Sequence, residues 1–167
     1  QIELGHERIA FVGDWEDFIG FRPTAKRRAG YLKAMANAGL KVPDEYIRTG
    51  PHEHAVTLEA TNALLDLDVP PTAVVASADY HAMVVARAAR ESGVRVPEDL
   101  SVIGYDDLEI AEHLGLSTIR QPLYESGSQG ARTLLEVMEN PTQPSEHVEL
   151  PLELVARGST AAPGGGT

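Results

Sequence analysis

Cysteine is absent from the 167 residues. That excludes a disulfide scaffold and any cysteine-ligated zinc centre. It agrees with a reducing cytoplasm, and equally with the many exported bacterial proteins that carry no cysteine. Positive charge is scarce. Fourteen Lys and Arg stand against twenty-five Asp and Glu, a formal net charge of −11. A segment this acidic does not grip nucleic-acid phosphates or an anionic membrane by itself. No apolar run approaches the roughly 18–20 residues that span a bilayer, and no basic start followed by an apolar core marks a signal peptide. Enzyme signatures are missing too. No G-x-G-x-x-G follows a strand, and there is no G-x-x-x-x-G-K-[ST] and no G-x-S-x-G. Lysine occurs only at Lys26, Lys33 and Lys41. That leaves no late-strand lysine for a phosphoryl-accepting receiver or for Schiff-base chemistry. Asp106 and Asp107 adjoin in sequence, which does not make them a catalytic pair. We expect no enzyme, no cofactor and no metal.

What is present reads as ordered α/β structure. The length fits one domain or one and a fraction. Arg8–Gly13 is a short apolar run ended by glycine, hence a strand. Thr24–Ala38 reads as a helix with Ala25, Ala29, Leu32 and Ala36 on one face. Tyr46–Thr49 is a weak strand. His54–Leu67 is a helix carrying Val56, Ala60, Ala63, Leu64 and Leu67. Thr72–Ser77 is a buried-type strand. Asp79 then opens a helix to Ser92, with Ala82, Val85, Ala86 and Ala89 inward. Leu100–Gly104 is a further buried strand. This alternation predicts a parallel sheet with helices on both faces. Beyond Gly104 the rhythm changes to a polar connection, a short extended segment at Ser117–Arg120, a helix from Pro122 to Glu139 and an extended stretch from His147 to Val155. Gln1–Leu4 before Gly5 reads as the last turn of a helix, so the chain is expected to be cut from a longer protein. Ala161–Thr167 reads as a loosely held tail.

In open parallel sheets, ligands bind beyond the carboxyl ends of the strands. That edge gathers Trp15, Phe21, Arg22, Arg27, His52, Asp79, Asp106 and Asp107. Aromatics, cations and carboxylates together suit a neutral polyhydroxylated or heterocyclic ligand. Bland roles compete at each position. Asp79 is as well explained by helix capping as by ligand contact. Asp107 suits a turn bracket. Arg27 sits between Lys26 and Arg28, where a solvated basic turn is the default. His52 and His54 form a His-x-His pair without further ligands at fixed spacing, which does not make a metal site.

Several segments together resemble one family. They are Leu4–Ile9, Arg27–Tyr31, Pro71–Val74, Gly93–Asp107 (GVRVPEDLSVIGYDD), Leu116–Pro122 and Leu150–Thr160. The chain resembles the LacI/GalR family of bacterial transcription regulators, in order and over nearly its whole length. The resemblance implies a periplasmic-binding-protein-like sensor of two α/β lobes, here one complete lobe plus part of a second. Residues 5–120 would be the C-terminal lobe, 121–150 a segment of the N-terminal lobe, 151–160 a return strand and 161–167 a tail. The DNA-binding head would lie upstream of Gln1. Effector contacts would fall on Arg27, Asp106, His52 and, more weakly, Gln121, with Trp15, Phe21 and Asp79 as further candidates on the same edge. The implied partners are a small-molecule effector of carbohydrate type, a second copy in a homodimer, and operator DNA through the absent head only, with no membrane and a cytoplasmic location. The rival is an exported solute-binding protein of a transport system. Two departures concern the effector: Ala78 stands where the family often has Asn, and His52 stands where an aromatic is usual.

Overall fold

The computed structural model describes residues 1–15, 23–140 and 147–164. A four-stranded parallel sheet forms its centre. The strands are β1 (Ile9–Asp14), β2 (Ile47–Gly50), β3 (Ala73–Ala76) and β4 (Ser101–Ile103), in spatial order β2-β1-β3-β4. The connecting helices are α1 (Pro23–Asn37), α2 (His54–Leu65) and α3 (Asp79–Glu91). Register runs Phe11 to Ile47 on one side of β1 and Phe11 to Val75 on the other.

The period-2 alternation of β1 divides the core. Ile9 and Phe11 point to one face, where they pack with Tyr31 and Met35 of α1. Ala10 and Val12 point to the other, where they join Leu64 of α2 and Ala82, Val85 and Ala89 of α3. Helices therefore cover both faces, as the alternation of elements predicts. All four inward positions expected of α3 are buried. The inward face of α1 differs from expectation. Thr24, Tyr31 and Met35 are the buried positions, while Ala29 and Ala36 are exposed. Tyr31 and Met35 outweigh the three alanines, because burial stabilises in proportion to apolar area, and Leu32 of the expected face packs partly buried beside them. In α2 the buried stripe is Thr57, Thr61 and Leu64. Its threonines tolerate burial because their hydroxyls bond back to the helix, Thr61 to the Thr57 carbonyl at 2.7 Å.

After β4, a short α4 (Glu109–His113) leads to β5 (Thr118–Arg120). The β5 segment runs parallel beside the end of β4: Gly104 N–H donates to Ser117 O and Asp106 N–H to Ile119 O, each at 2.9 Å. β5 also pairs antiparallel with β6 (Glu153–Val155). Between these two strands lies α5 (Leu123–Glu139), which buries no residue. Leu123, Tyr124, Leu134, Leu135 and Met138 are all exposed on it. Gly5 ends an N-terminal 3-10 turn with a positive φ of 93°, the stop expected from sequence. Ala161, expected in the loose tail, is held at both peptide groups: its N–H donates to Ser101 Oγ at 2.9 Å and its carbonyl accepts from His6 Nε2–H at 2.8 Å. Among the described residues, no helix is long and apolar enough to cross a membrane.

Candidate functional site

Parallel strands bring the carboxyl ends of β1 to β4 to one edge. The most connected group there is built on Asp106, in the turn after β4. Its backbone has φ 119°, a region L-residues rarely adopt. The turn is held from three sides. Asp79 N–H, at the start of α3, donates to the Tyr105 carbonyl at 2.7 Å. The Asp79 carboxylate accepts from Leu108 N–H at 2.8 Å and from the Thr118 hydroxyl at 2.5 Å. The β5 backbone accepts from Asp106 N–H. Asp79 is fully buried. Its expected ligand contact, and equally its expected side-chain cap on its own helix, give way to this brace, since a carboxylate with no solvent-facing surface and two donors in place is already committed.

Two side chains converge on the carboxylate so presented. Gln121 Nε2 donates to Asp106 Oδ1 at 2.7 Å, and Arg27 Nη2 pairs with the same oxygen at 3.3 Å. Arg27 also donates through Nη1 to the Ser77 carbonyl and lies over the Tyr105 ring, 3.7 Å from its centroid. A solvated basic turn does not describe it. The second turn of α1 aims this guanidinium across the end of β3, and three separate contacts fix its plane. Burial pushes the Asp106 carboxyl up from its ordinary value; Arg27 opposes the rise and Asp79 adds to it. The cluster remains partly open, with Arg27 and Asp106 side chains 20% and 24% exposed. That is the state expected of groups able to exchange internal partners for a ligand. A groove of about 510 Å³ adjoins it, lined by Asp106, Arg120, Gln121, Tyr124 and Glu125 among others.

Asp107 takes the structural role. Burial alone would raise its carboxyl, but hydrogen bonds from Arg120 and Arg157 outweigh that and hold it below the usual carboxylate range. The pairs measure 2.6 Å to Arg120 Nε and 2.8 Å to Arg157 Nη2. They tie the β4 turn to β5 and to the returning chain.

A second group lies at the ends of β1 and β2. Asp14 Oδ1 meets His52 Nδ1 at 2.9 Å and His81 Nε2 at 3.0 Å. His52 stacks on Tyr80 with ring centroids 4.3 Å apart. His81 is buried, and burial holds it below the ordinary histidine range although Asp14 pulls the other way. Neither Asp14 nor His81 stood out in the sequence. The only hint was a histidine on the otherwise apolar inward face of α3. Trp15 stands on the same edge, tied by its backbone N–H to the Gly50 carbonyl at 2.8 Å, with its ring largely exposed. Phe21 and Arg22 lie outside the described residues.

A cavity of about 600 Å³ lies on the α1 side of the sheet. It runs along Ile2, Ile9, Met35, Val75 and Ile103, touching Arg27 and Tyr105 only at one end. Its apolar walls resemble a packing surface more than a seat for a hydroxylated ligand, which needs convergent polar groups.

Comparison with known proteins agrees with this architecture. A periplasmic binding protein-like domain matches residues 1–160. Catabolite control protein A of Priestia megaterium is 36% identical over 95% of this chain and 48% of its own length. The HTH-type transcriptional repressor CytR of Escherichia coli is 36% identical over 96% of this chain and 47% of its own. The chain thus spans about half the length of the curated relatives it matches. Among solved structures, a LacI-family regulatory protein from Chloroflexus aggregans superposes with a TM-score of 0.86 at 34% identity, covering 96% of this chain and 57% of that one. A LacI-family regulator from Enterococcus faecium with bound ribose gives 0.80 at 30%, covering 96% and 59%. The chain belongs to the periplasmic binding protein-like domain family, among the LacI-type transcription regulators.

Proposed function

We propose that this chain is the effector-sensing half of a cytoplasmic, homodimeric LacI-type regulator, and that its effector is a sugar or a related polyhydroxylated molecule. One observation carries the reading. Arg27, Asp106 and Gln121 come from sequence positions far apart and meet at the carboxyl edge, where a fork of donors and a carboxylate suit adjacent hydroxyls. The ribose bound to the Enterococcus faecium regulator supports the ligand class. The exposed apolar side chains of α5 support the division of the chain in which residues 5–120 form one lobe, 121–150 belong to a second lobe, and 151–160 return. An effector seated between the lobes would favour one closure angle and so alter operator binding by a head outside this chain. The coupling this requires is about 1–3 kcal/mol. His52 and Trp15 would border the ligand, and Asp79 would hold the Asp106 turn.

The test is a thermal-shift screen of the full-length protein against sugars, nucleosides and sugar phosphates. A ligand at about 100 times its Kd stabilises by about 2.7 kcal/mol. Arg27→Ala should abolish the shift given by the effector, and an unchanged shift would remove Arg27 from the site.

A further inference from the structure

We propose that Asp14, His52 and His81 form a binding site for a divalent transition-metal ion of the zinc class at the carboxyl edge of the sheet. The proposal concerns a different cluster from the Arg27–Asp106 group and stands whether or not the effector reading holds.

Two imidazole nitrogens converge on one carboxylate oxygen, at 2.9 and 3.0 Å, and one ligand atom from each of the three residues lies within 4.8 Å of the others. Two histidines and a carboxylate are a donor set that zinc and iron-group ions accept, with the remaining positions left open. An ion with tetrahedral ligands at roughly 2.0–2.2 Å sets its donors about 3.3–3.6 Å apart, so the two N···O contacts would open by a few tenths of an ångström to admit it.

The surroundings orient both histidines before an ion arrives. His81 is the rigid one, 1% exposed, with its other nitrogen 3.0 Å from Thr57 Oγ1. Thr57 has a single hydroxyl proton. When it is donated to the Glu53 carbonyl, at 3.2 Å, Oγ1 accepts from His81 Nδ1–H. That tautomer leaves the Nε2 lone pair free for an ion; in the other tautomer Nε2–H donates to Asp14, and the ion takes the place of that proton. A cation between Nε2 and the Asp14 oxygen satisfies both. Metal-bound histidines usually donate their far N–H to an outer-shell oxygen acceptor, a carboxylate, carbonyl or water, and Thr57 Oγ1 takes that place here. His52 is oriented by its stack on Tyr80 and is the exposed member, at 56%. One buried ligand, one half-open carboxylate and one exposed histidine give an entry path from solvent. The open positions would face the cleft edge, where water or an oxygen of a bound molecule completes the coordination.

The measurement is titration of the chain with Co²⁺ at neutral pH, followed by visible absorption and by competition with Zn²⁺. Expected are one ion per chain, a d–d band of a four- or five-coordinate site, and displacement by Zn²⁺. Binding should weaken at least about a hundredfold in Asp14→Asn and in His52→Gln, and by about ten- to a hundredfold in Thr57→Val through loss of the outer-shell bond. His52 is exposed, so His52→Gln keeps the fold, and circular dichroism verifies this for Asp14→Asn. The proposal fails if the folded chain binds no Co²⁺ at millimolar concentration. It fails equally if both substitutions leave binding unchanged, which would place the ion on His54, His113 or His147.

Discussion

Asp79→Asn changes two atoms' chemistry and almost no volume, so it isolates what the buried carboxylate does. In the native chain both of its oxygens accept: Oδ2 from Leu108 N–H at 2.8 Å, Oδ1 from the Thr118 hydroxyl at 2.5 Å. A neutral amide keeps one acceptor and turns an NH2 toward the other donor. The bond from Leu108 N–H loses its charge, and Thr118 Oγ1, which can accept from that NH2, is left with a buried hydroxyl proton that has lost its acceptor. Hydrogen bonds to charged groups contribute about 1.5–3 kcal/mol each, and an unsatisfied buried donor costs about 1–3 kcal/mol. The relief from no longer burying a charge offsets part of this. A net loss of about 2–4 kcal/mol follows. Urea unfolding followed by far-ultraviolet circular dichroism reads it as a lower midpoint at constant slope. Thr118→Val removes one donor, together with the weaker bond that Thr118 Oγ1 accepts from Asp107 N–H. The two substitutions should be non-additive by about 1–2 kcal/mol. An Asp79→Asn variant within about 0.5 kcal/mol of wild type, or strict additivity with Thr118→Val, would refute the brace. The same variant should weaken effector response, because the brace shapes the turn that presents Asp106.

Three further outcomes can be checked separately. Asp106 holds φ 119°, a strain of about 1–3 kcal/mol for a residue with a Cβ. Asp106→Gly should therefore be more stable than Asp106→Ala by about 1 kcal/mol in urea, with both losing the effector's thermal shift; equal stability would show the turn relaxes freely. His6 is buried between Thr72, Ser101 and Ala161, and burial holds its imidazole below the ordinary range although the Ala161 carbonyl favours the charged form. The native state thus prefers neutral His6, the unfolded chain takes up the proton first, and stability should fall as pH drops below about 6.5. The urea midpoint should drop less between pH 7.5 and 5.5 in His6→Asn than in wild type; an identical drop would refute this. Leu134 and Met138 on α5 are 61% and 68% exposed. Changing both to Glu should alter stability by no more than about 0.5 kcal/mol while reducing self-association in sedimentation velocity; a large loss of stability would mean the helix packs where the structure shows it bare.

The parallel sheet was legible because its signals are local. Three of the four strands are short apolar runs closed by turn residues, and α1 and α3 are followed by the left-handed glycines Gly39 and Gly93, so the order of elements follows from the chain itself. Helix faces were less legible where side chains are small. In α1 the alanine spacing suggested one stripe, and Tyr31 with Met35 selected the neighbouring one. Periodicity alone cannot weigh an alanine against a tyrosine whose hydroxyl reaches the Ile9 carbonyl at 2.8 Å.

The site was legible only in part, for a different reason. Strand ends are visible in sequence, so the edge and its Arg27, His52 and Asp106 could be named. Which of these meet depends on contacts across the fold. Arg27 and Asp106 are 79 residues apart, and Asp14 and His81 are 67 apart. Sequence spacing carries no information on such pairs unless a resemblance supplies it. Asp79 shows the limit most clearly. As a residue at a helix start it reads as a cap or a ligand contact. Its actual partners, Leu108 and Thr118, lie on the chain after β4, and that placement removes it from solvent. The consequence for function is physical. A residue at the mouth can hold a ligand only if its own hydrogen-bonding capacity is not already filled in a dry site. By that criterion Asp79 and the doubly paired Asp107 are committed to internal partners, whereas Arg27 and Asp106 keep part of their surface open.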